Sequence, residues 1–338
     1  MAFFMKRALI TGITGQDGSY LTELLLGEGY EVYGLIMRSN DLDYCNAIHL
    51  KDQINFIYGD MTDNDSLVSA IEQSSPDEVY NLAAYSFVAA SWTNPLVTAR
   101  VNALGVAYLL EAIRLIQPKA RFFQASTCEM FGLSRETPQN ENTPFYPHSP
   151  YGVAKLYGHW ITRNYRESYG MYSCSGIMFN HESERRGIEF VTRKITAAVA
   201  AIAKGRQDVL ELGNLSAKRD WGHAEDYVNA MHLMLQHETA DDYVIATGET
   251  HSVRDFTIRA FEEIGISLRF EGEGVEEIGV EKDSGKVRVR VNPQFFRPTE
   301  VEQLLGNPEK AEKVLGWKRR VTFDELVKRM VQNDLNIK

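Results

Sequence analysis

The chain has 338 residues, 44% hydrophobic and 24% charged, with a formal net charge of −10. This composition excludes disordered and fibrous classes and leaves room for one large domain or two that share a core. The acidic balance excludes sequence-independent nucleic-acid binding, which rests on basic residues facing phosphates. Cys45, Cys128 and Cys174 are widely spaced and odd in number. Neither a disulfide framework nor a metal site is expected from them, and a reduced, cytoplasmic protein is. No apolar run reaches the roughly 18 to 20 residues of a membrane span, so no membrane partner is expected. The opening "MAFFMKRALITG" is split by Lys6 and Arg7 and lacks a small-residue cleavage site, so it does not read as a signal peptide.

The first predicted strand, "RALITG", runs into a turn with Gly12, Gly15 and Gly18, and then into an amphipathic helix, "SYLTELLLGEGY". The spacing differs from the dinucleotide fingerprint, but the mechanics are the same. Small residues permit a tight turn, let backbone approach a pyrophosphate, and bring up a helix N-terminus. Thr14, Gln16 and Asp17 belong to the same candidate cofactor site. The second strand, "EVYGLIM", is followed by Arg38 and Ser39, where an enzyme using NAD would carry an acid for the ribose 2′-hydroxyl. A guanidinium suits the 2′-phosphate of NADP, which is the expected cofactor. The third strand, "INFIYGD", ends in Asp60, an acceptor for the adenine amino group, with Met61 next to it. A helix follows at "DNDSLVSAIEQ". The fourth strand, "EVYNLAA", delivers Leu82, Ala83 and Ala84 where backbone must lie close to the cofactor.

After a helix at "NALGVAYLLEAIRLI", the fifth strand, "ARFFQAS", is followed by Thr127 and Glu129. A carboxylate at the mouth of a buried strand either faces solvent or serves proton transfer. In "PYGVAKLYGHW", Tyr151 and Lys155 stand at i and i+4 on one face of a predicted helix. A nearby ammonium, together with the positive charge of an oxidised nicotinamide, favours the phenolate, and bringing a phenol from about 10 to near 7 takes about 4 kcal/mol of differential stabilisation. Such a tyrosinate could take the proton of an alcohol whose carbon gives up hydride. The sixth strand is "CSGIMFN". Strands alternating with helices predict a Rossmann-type doubly wound parallel sheet. Beyond it, helices are predicted at "VTRKITAAVAAIAKG", "DWGHAEDYVNAMHLMLQH" and "FDELVKRMVQNDL". A strand at "DYVIATGE" would return to the first sheet, and a charged, strand-rich patch lies at "VEEIGVEKDSGKVRVRV". The expected division is residues 1–180 plus about 221–250 for the NADP-binding domain. About 181–220 plus 251–338 would form a smaller mixed α/β substrate-binding lobe.

The glycine turn and the Tyr–Lys pair together resemble the extended branch of the short-chain dehydrogenase/reductase superfamily. "QASTCEMFG", "NHESERRG", "FVTRKI", "RDWGHAEDYV" and "FFRPTEVEQLLGNPEKAEKVLGWK" narrow the resemblance to GDP-mannose 4,6-dehydratases over nearly the whole chain. It implies oxidation at carbon 4 of the hexose of GDP-mannose, loss of water across carbons 5 and 6, and return of hydride to carbon 6 by bound NADP. It assigns catalysis to Thr127, Glu129, Tyr151 and Lys155, with Glu129 taking the carbon 5 proton. It places His181 and Arg186 at the cofactor and Ser86 beside both ligands. Asn180, Val191, Lys194, Gly213, Arg219, Arg297 and Glu300 would hold the GDP-sugar. A superfamily relative that dehydrates, epimerises or reduces another nucleotide sugar is the alternative. A homo-oligomer, dimer or tetramer, is expected. The chain departs from the family pattern at Cys128 (usually Ser), at Tyr85 and Phe87 (Gln and His), and at Glu184, which adds a negative charge near the expected anion site.

Overall fold

The computed structural model describes residues 5–38, 46–295, 301 and 303–337. Its strands are, in chain order, β1 (Arg7–Thr11), β2 (Glu31–Ile36), β3 (Ile54–Tyr58), β4 (Glu78–Asn81), β5 (Arg121–Thr127), β6 (Ser173–Met178), β7 (Asn180–Glu182), β8 (Leu210–Leu212), β9 (Lys218–Arg219), β10 (Trp221–His223), β11 (Asp242–Ile245), β12 (His251–Ser252), β13 (Leu268–Glu271), β14 (Ile278–Glu281) and β15 (Val287–Val291). Among the described residues, seven of these form a parallel sheet in the order β3-β2-β1-β4-β5-β6-β11. The order reverses between β1 and β4, so the crevice at the carboxyl ends of those strands is where such a sheet binds ligand.

Both faces of the sheet are covered, which explains why its strands read as unbroken apolar runs. Ala8 and Ile10 join Leu21, Leu25, Tyr227 and Met231 on one side, from α1 (Gln16–Gly27) and, later in the chain, the helix Ala224–Gln236. Leu9 joins Leu67 and Ile71 of α2 (Asn64–Ser74) and Val106 and Leu110 on the other side. Each fully buried Leu or Ile contributes roughly 1.5–3 kcal/mol relative to exposure. After α3 (Val88–Thr93), α4 (Pro95–Ala99) passes through one π-helical turn, Arg100–Leu104, into α5 (Gly105–Ile116). This continuous stretch of 22 residues is long and apolar enough, by length and composition, to cross a membrane, contrary to the count made on the sequence. Half of its most apolar window is buried, against α2 and α6 (Pro150–Tyr169).

The remaining helices are α7 (Val191–Ala203), α8 (Ala224–Gln236), α9 (Val253–Glu262) and α10 (Phe323–Asn336). Helices α7, α9 and α10 pack with a four-stranded sheet, β13-β14-β15-β8, around Ile195, Val199, Phe256, Phe261, Leu326 and Met330. One expected helix starts later than its sequence pattern. Trp221–His223 pairs in parallel with Asn180–Glu182 as a strand, and α8 begins at Ala224. The ladder partner comes from far along the chain, and His223 then caps the helix, its Nδ1 accepting from Glu225 N at 3.2 Å. Asp220 joins the two parts of the molecule. Its carboxylate accepts from Thr247 N and Oγ1, both at 2.7 Å, from Gly248 N at 3.0 Å and from Gly306 N at 3.3 Å.

Candidate active site

Strand β1 turns into α1 at Gly12, whose φ of +71° suits glycine. A Cβ there would lie 2.7 Å from Ala83 N, and one on Gly18 would lie 2.5 Å from Gly12 O. Backbone therefore packs directly on backbone where β1, α1 and the end of β4 meet. No side chain caps the first turn of α1. This turn lines a cavity of about 960 Å³. Gly12, Thr14, Gly15, Gln16, Asp17, Gly18, Asp60, Met61, Leu82, Ala83, Ala84, Ser86 and Arg186, all assigned to the cofactor from the sequence, face it.

Arg38 does not face it. The residue is exposed beyond the end of β2, and Met37 takes the place on the cavity wall. Ser39 lies outside the described residues. Asp60 is already engaged locally, its Oδ1 accepting from Thr62 N and Oγ1 at 2.8 Å each.

A second cavity, of about 500 Å³, adjoins the first and shares Asp17, Leu82, Ala84, Ser86 and Arg186 with it. Thr127, Glu129, Tyr151 and Lys155 line it together. Ser149 Oγ caps α6 by accepting from Gly152 N at 3.0 Å, and Pro150 opens the helix. A Cβ on Gly152 would stand 2.8 Å from Glu129 O, so only a glycine lets the helix seat against the 3-10 turn Cys128–Met130. That contact sets Tyr151 beside Thr127 and Glu129. Thr127 Oγ1 accepts from Glu129 N at 3.2 Å, and the Thr127 hydroxyl favours the ionised form of the Tyr151 phenol. Glu129 is only 8% exposed, which removes the reading of a solvent-facing turn acid.

Burial shifts Tyr151 and Lys155 in opposite directions. It pushes the Tyr151 phenol well above the usual range; the Thr127 hydroxyl pulls it down, and Glu129 and Cys128 push it up again against a weaker pull from Arg186. Lys155 is the group brought down, to about 8, because its ammonium is buried. Its Nζ donates to Ala125 O at 2.9 Å and lies 5.9 Å from the Tyr151 ring centroid.

His181 lines this second cavity and is joined to the glycine-turn helix through Asp17. Its Nδ1 donates to Phe179 O at 2.7 Å, its Nε2 to Asp17 Oδ2 at 2.8 Å, and its ring stacks on Tyr227 at 4.5 Å. Burial opposes charge on both partners. The ion pair outweighs it, raising His181 and holding Asp17 down at about 2. Gln16 Nε2 supports Asp17 Oδ1 at 2.9 Å.

Asn180, Val191, Lys194, Gly213 and Arg219 complete the lining. Arg219 is buried, its Nη1 donating to Lys218 O at 2.9 Å and Val301 O at 2.8 Å. Lys194 Nζ sits 3.4 Å from the Phe295 ring centroid, and burial lowers its pKa. Arg297 and Glu300 lie outside the described residues. The sequence reading noted Phe87 only as a departure and missed Trp92, Phe190 and Phe295, which also line this cavity. No spacing rule marks these walls, because they come from three separate segments, Phe87 standing at the start of α3 and Trp92 within it.

The sequence matches the family described as GDP-mannose 4,6 dehydratase over residues 9–330. It is 55% identical to GDP-mannose 4,6 dehydratase 2 of Caenorhabditis elegans over 341 residues, covering 98% of this chain and 89% of that one. The chain belongs to the GDP-mannose 4,6-dehydratase family. Similarity to the GDP-mannose 4,6-dehydratase of Vibrio cholerae is 51% identity over 351 residues, covering 98% and 94% of the two chains. The fold resembles a UDP-glucose 4-epimerase of Thermotoga maritima, with a TM-score of 0.80, 23% identity, and 96% and 97% of the chains covered. A dTDP-glucose 4,6-dehydratase of Streptomyces venezuelae gives 0.80 at 23% identity, covering 97% and 96%.

Two departures from the family pattern have definite surroundings. Cys128 is buried, and its Sγ donates to Asn180 Oδ1 at 3.8 Å. Glu184 does not add charge to either cavity. Its Oε2 accepts from Tyr20 Oη at 2.9 Å and His223 Nε2 at 3.2 Å, behind the glycine turn.

Proposed function

We propose that the chain converts GDP-D-mannose to GDP-4-keto-6-deoxy-D-mannose and water, as a lyase that uses tightly bound NADP. The observation that supports it most is that Tyr151, Lys155, Thr127 and Glu129 face one cavity that adjoins the glycine-turn cavity. The backbone cradle at Gly12 and Gly18, which a Cβ would fill, fits a dinucleotide pyrophosphate. NADP held at this cradle would supply the hydride acceptor for carbon 4 of the hexose and the hydride donor for carbon 6.

Tyr151 accepts the proton of the 4-hydroxyl, and Thr127 orients that oxygen. Lys155 supplies a buried positive charge that pulls the phenolate form toward accessible pH. A 4-keto group acidifies the carbon 5 proton because the charge left behind spreads onto the keto oxygen. Glu129 removes that proton and passes it to the 6-oxygen, which leaves as water, and a proton drawn from solvent then reaches carbon 5 as carbon 6 is reduced. In this reading residues 1–180 with about 221–250 hold the cofactor. Residues of about 181–220 with 251–338 hold the GDP-sugar through Lys194, Arg219, Arg297 and Glu300, with Val191 and Gly213 beside the base and Asn180 reaching it from the end of the cofactor part. The working protein is a homo-oligomer in the cytoplasm.

Incubation with GDP-mannose and a catalytic amount of NADP in deuterated water tests the reading. Product should form with no net change in NADPH absorbance and with deuterium at carbon 5. Glu129→Gln should lower both turnover and that exchange by about 10²- to 10⁴-fold. Exchange that survives the substitution would remove Glu129 from its role.

A further inference from the structure

The cavity at the glycine turn has an end that does not touch the catalytic cavity, and this end carries a cation to which the sequence assigned nothing. Val97, Arg100, Val101, Leu104 and Tyr108, at helical intervals, present one face of α4, the π turn and α5 to it. Val97 is 46% exposed and Leu104 43%, while Met37 across the cavity is 46% exposed. Three apolar side chains left open to one slot suit a flat base. Asp60, at the same end, suits the amino edge of that base.

Arg186 and Arg100 are the cations lining this cavity among the described residues. Arg186 is committed to the shared end, pairing with Glu182 Oε2 at 2.9 Å and lying 3.6 Å over the Phe190 ring. Arg100 is exposed, and no hydrogen bond or ion pair holds its guanidinium among the described residues. Arg38, the residue expected from the sequence to meet a 2′-phosphate, is not on the wall.

We propose that Arg100, on the π turn, binds the 2′-phosphate of the adenosine half of the cofactor and thereby selects NADP over NAD. A ribose between a base in the apolar slot and a pyrophosphate at the α1 N-terminus would bring a 2′-phosphate into the cavity that Arg100 lines. A planar guanidinium donates to two phosphate oxygens at once. The proposal rests on the dinucleotide reading of the glycine turn.

Calorimetric titration with 2′,5′-ADP and with 5′-ADP tests it without turnover. The unaltered protein should bind 2′,5′-ADP more tightly, with a preference that shrinks as salt rises. Arg100→Ala should weaken 2′,5′-ADP by about 10- to 100-fold and leave 5′-ADP within about threefold, and Arg100→Lys should recover part of the loss. Arg38→Ala should have the smaller effect of the two. Equal loss of both ligands, no loss of either, or a preference that vanishes with Arg38→Ala instead would overturn the role of Arg100. An unaltered protein without any preference for 2′,5′-ADP would overturn the NADP reading itself.

Discussion

Tyr151 is buried at the start of α6 with Glu129 and Cys128 on its acidic side and the Lys155 ammonium below its ring. The phenol therefore holds its proton firmly in the protein by itself, while Lys155 gives one up near 8. Both directions come from the same cause: burial disfavours the charged form of either group. Tyr151→Phe keeps the ring and its packing and removes the oxygen. Turnover should fall by about 10²- to 10⁴-fold, with NADP affinity within about threefold of the unaltered protein. Fluorescence titration with NADPH beside a turnover assay checks this, and a large loss of cofactor binding would point to a structural hydroxyl. The Tyr151–Lys155 pair was legible in the sequence, since spacing of i and i+4 puts both on one helix face. The pull of the Ala125 carbonyl on Lys155 was not, because it crosses from α6 to β5.

At the scale of elements, the decisive contact is between β1, α1 and the end of β4. A methyl on Gly18 would meet Gly12 O and Ile13 Cα at 2.5 Å each. Gly18→Ala must push α1 away from the turn. It should cost about 1–3 kcal/mol of stability, read as a lower urea midpoint, and should weaken NADP binding as well. A variant with unchanged midpoint and affinity would mean that the turn yields more easily than its geometry implies. The glycine pattern announced the turn, and the helix that follows announced its direction. The π turn at Arg100–Leu104 had no such announcement: its residues read as ordinary amphipathic helix, and the register change depends on packing against α6.

Across the whole molecule, two carboxylates fasten the glycine-turn helix to segments more than 160 positions away. Asp17 pairs with His181, and Glu184 accepts from Tyr20 and His223. Burial works against both charges, but their partners hold each at about 2. A depressed folded-state pKa gives stability that is present above the unfolded value near 4 and lost as pH falls toward 2. Each contributes at most on the order of 2–3 kcal/mol. Urea midpoints measured between pH 4.5 and 2.5 should therefore fall, and Asp17→Asn combined with Glu184→Gln should flatten that fall while lowering the midpoint at pH 6. An unchanged slope in the double variant would assign the acid sensitivity to other groups.

The sequence alone determined the alternating strands and helices, the glycine cradle, and the phenol, amine and carboxyl residues of the candidate site. Those signals are local, repeating every two residues in strands or every three to four in helices, and survive without knowledge of neighbours. Only the tertiary structure decided that Glu129 is shielded from water, that His181 belongs to Asp17, that Arg38 stands off the cavity wall while Arg100 lines it, and that Trp221–His223 is a strand. Each of these depends on which distant segment comes alongside, and burial and pairing energies arise from that proximity rather than from spacing along the chain.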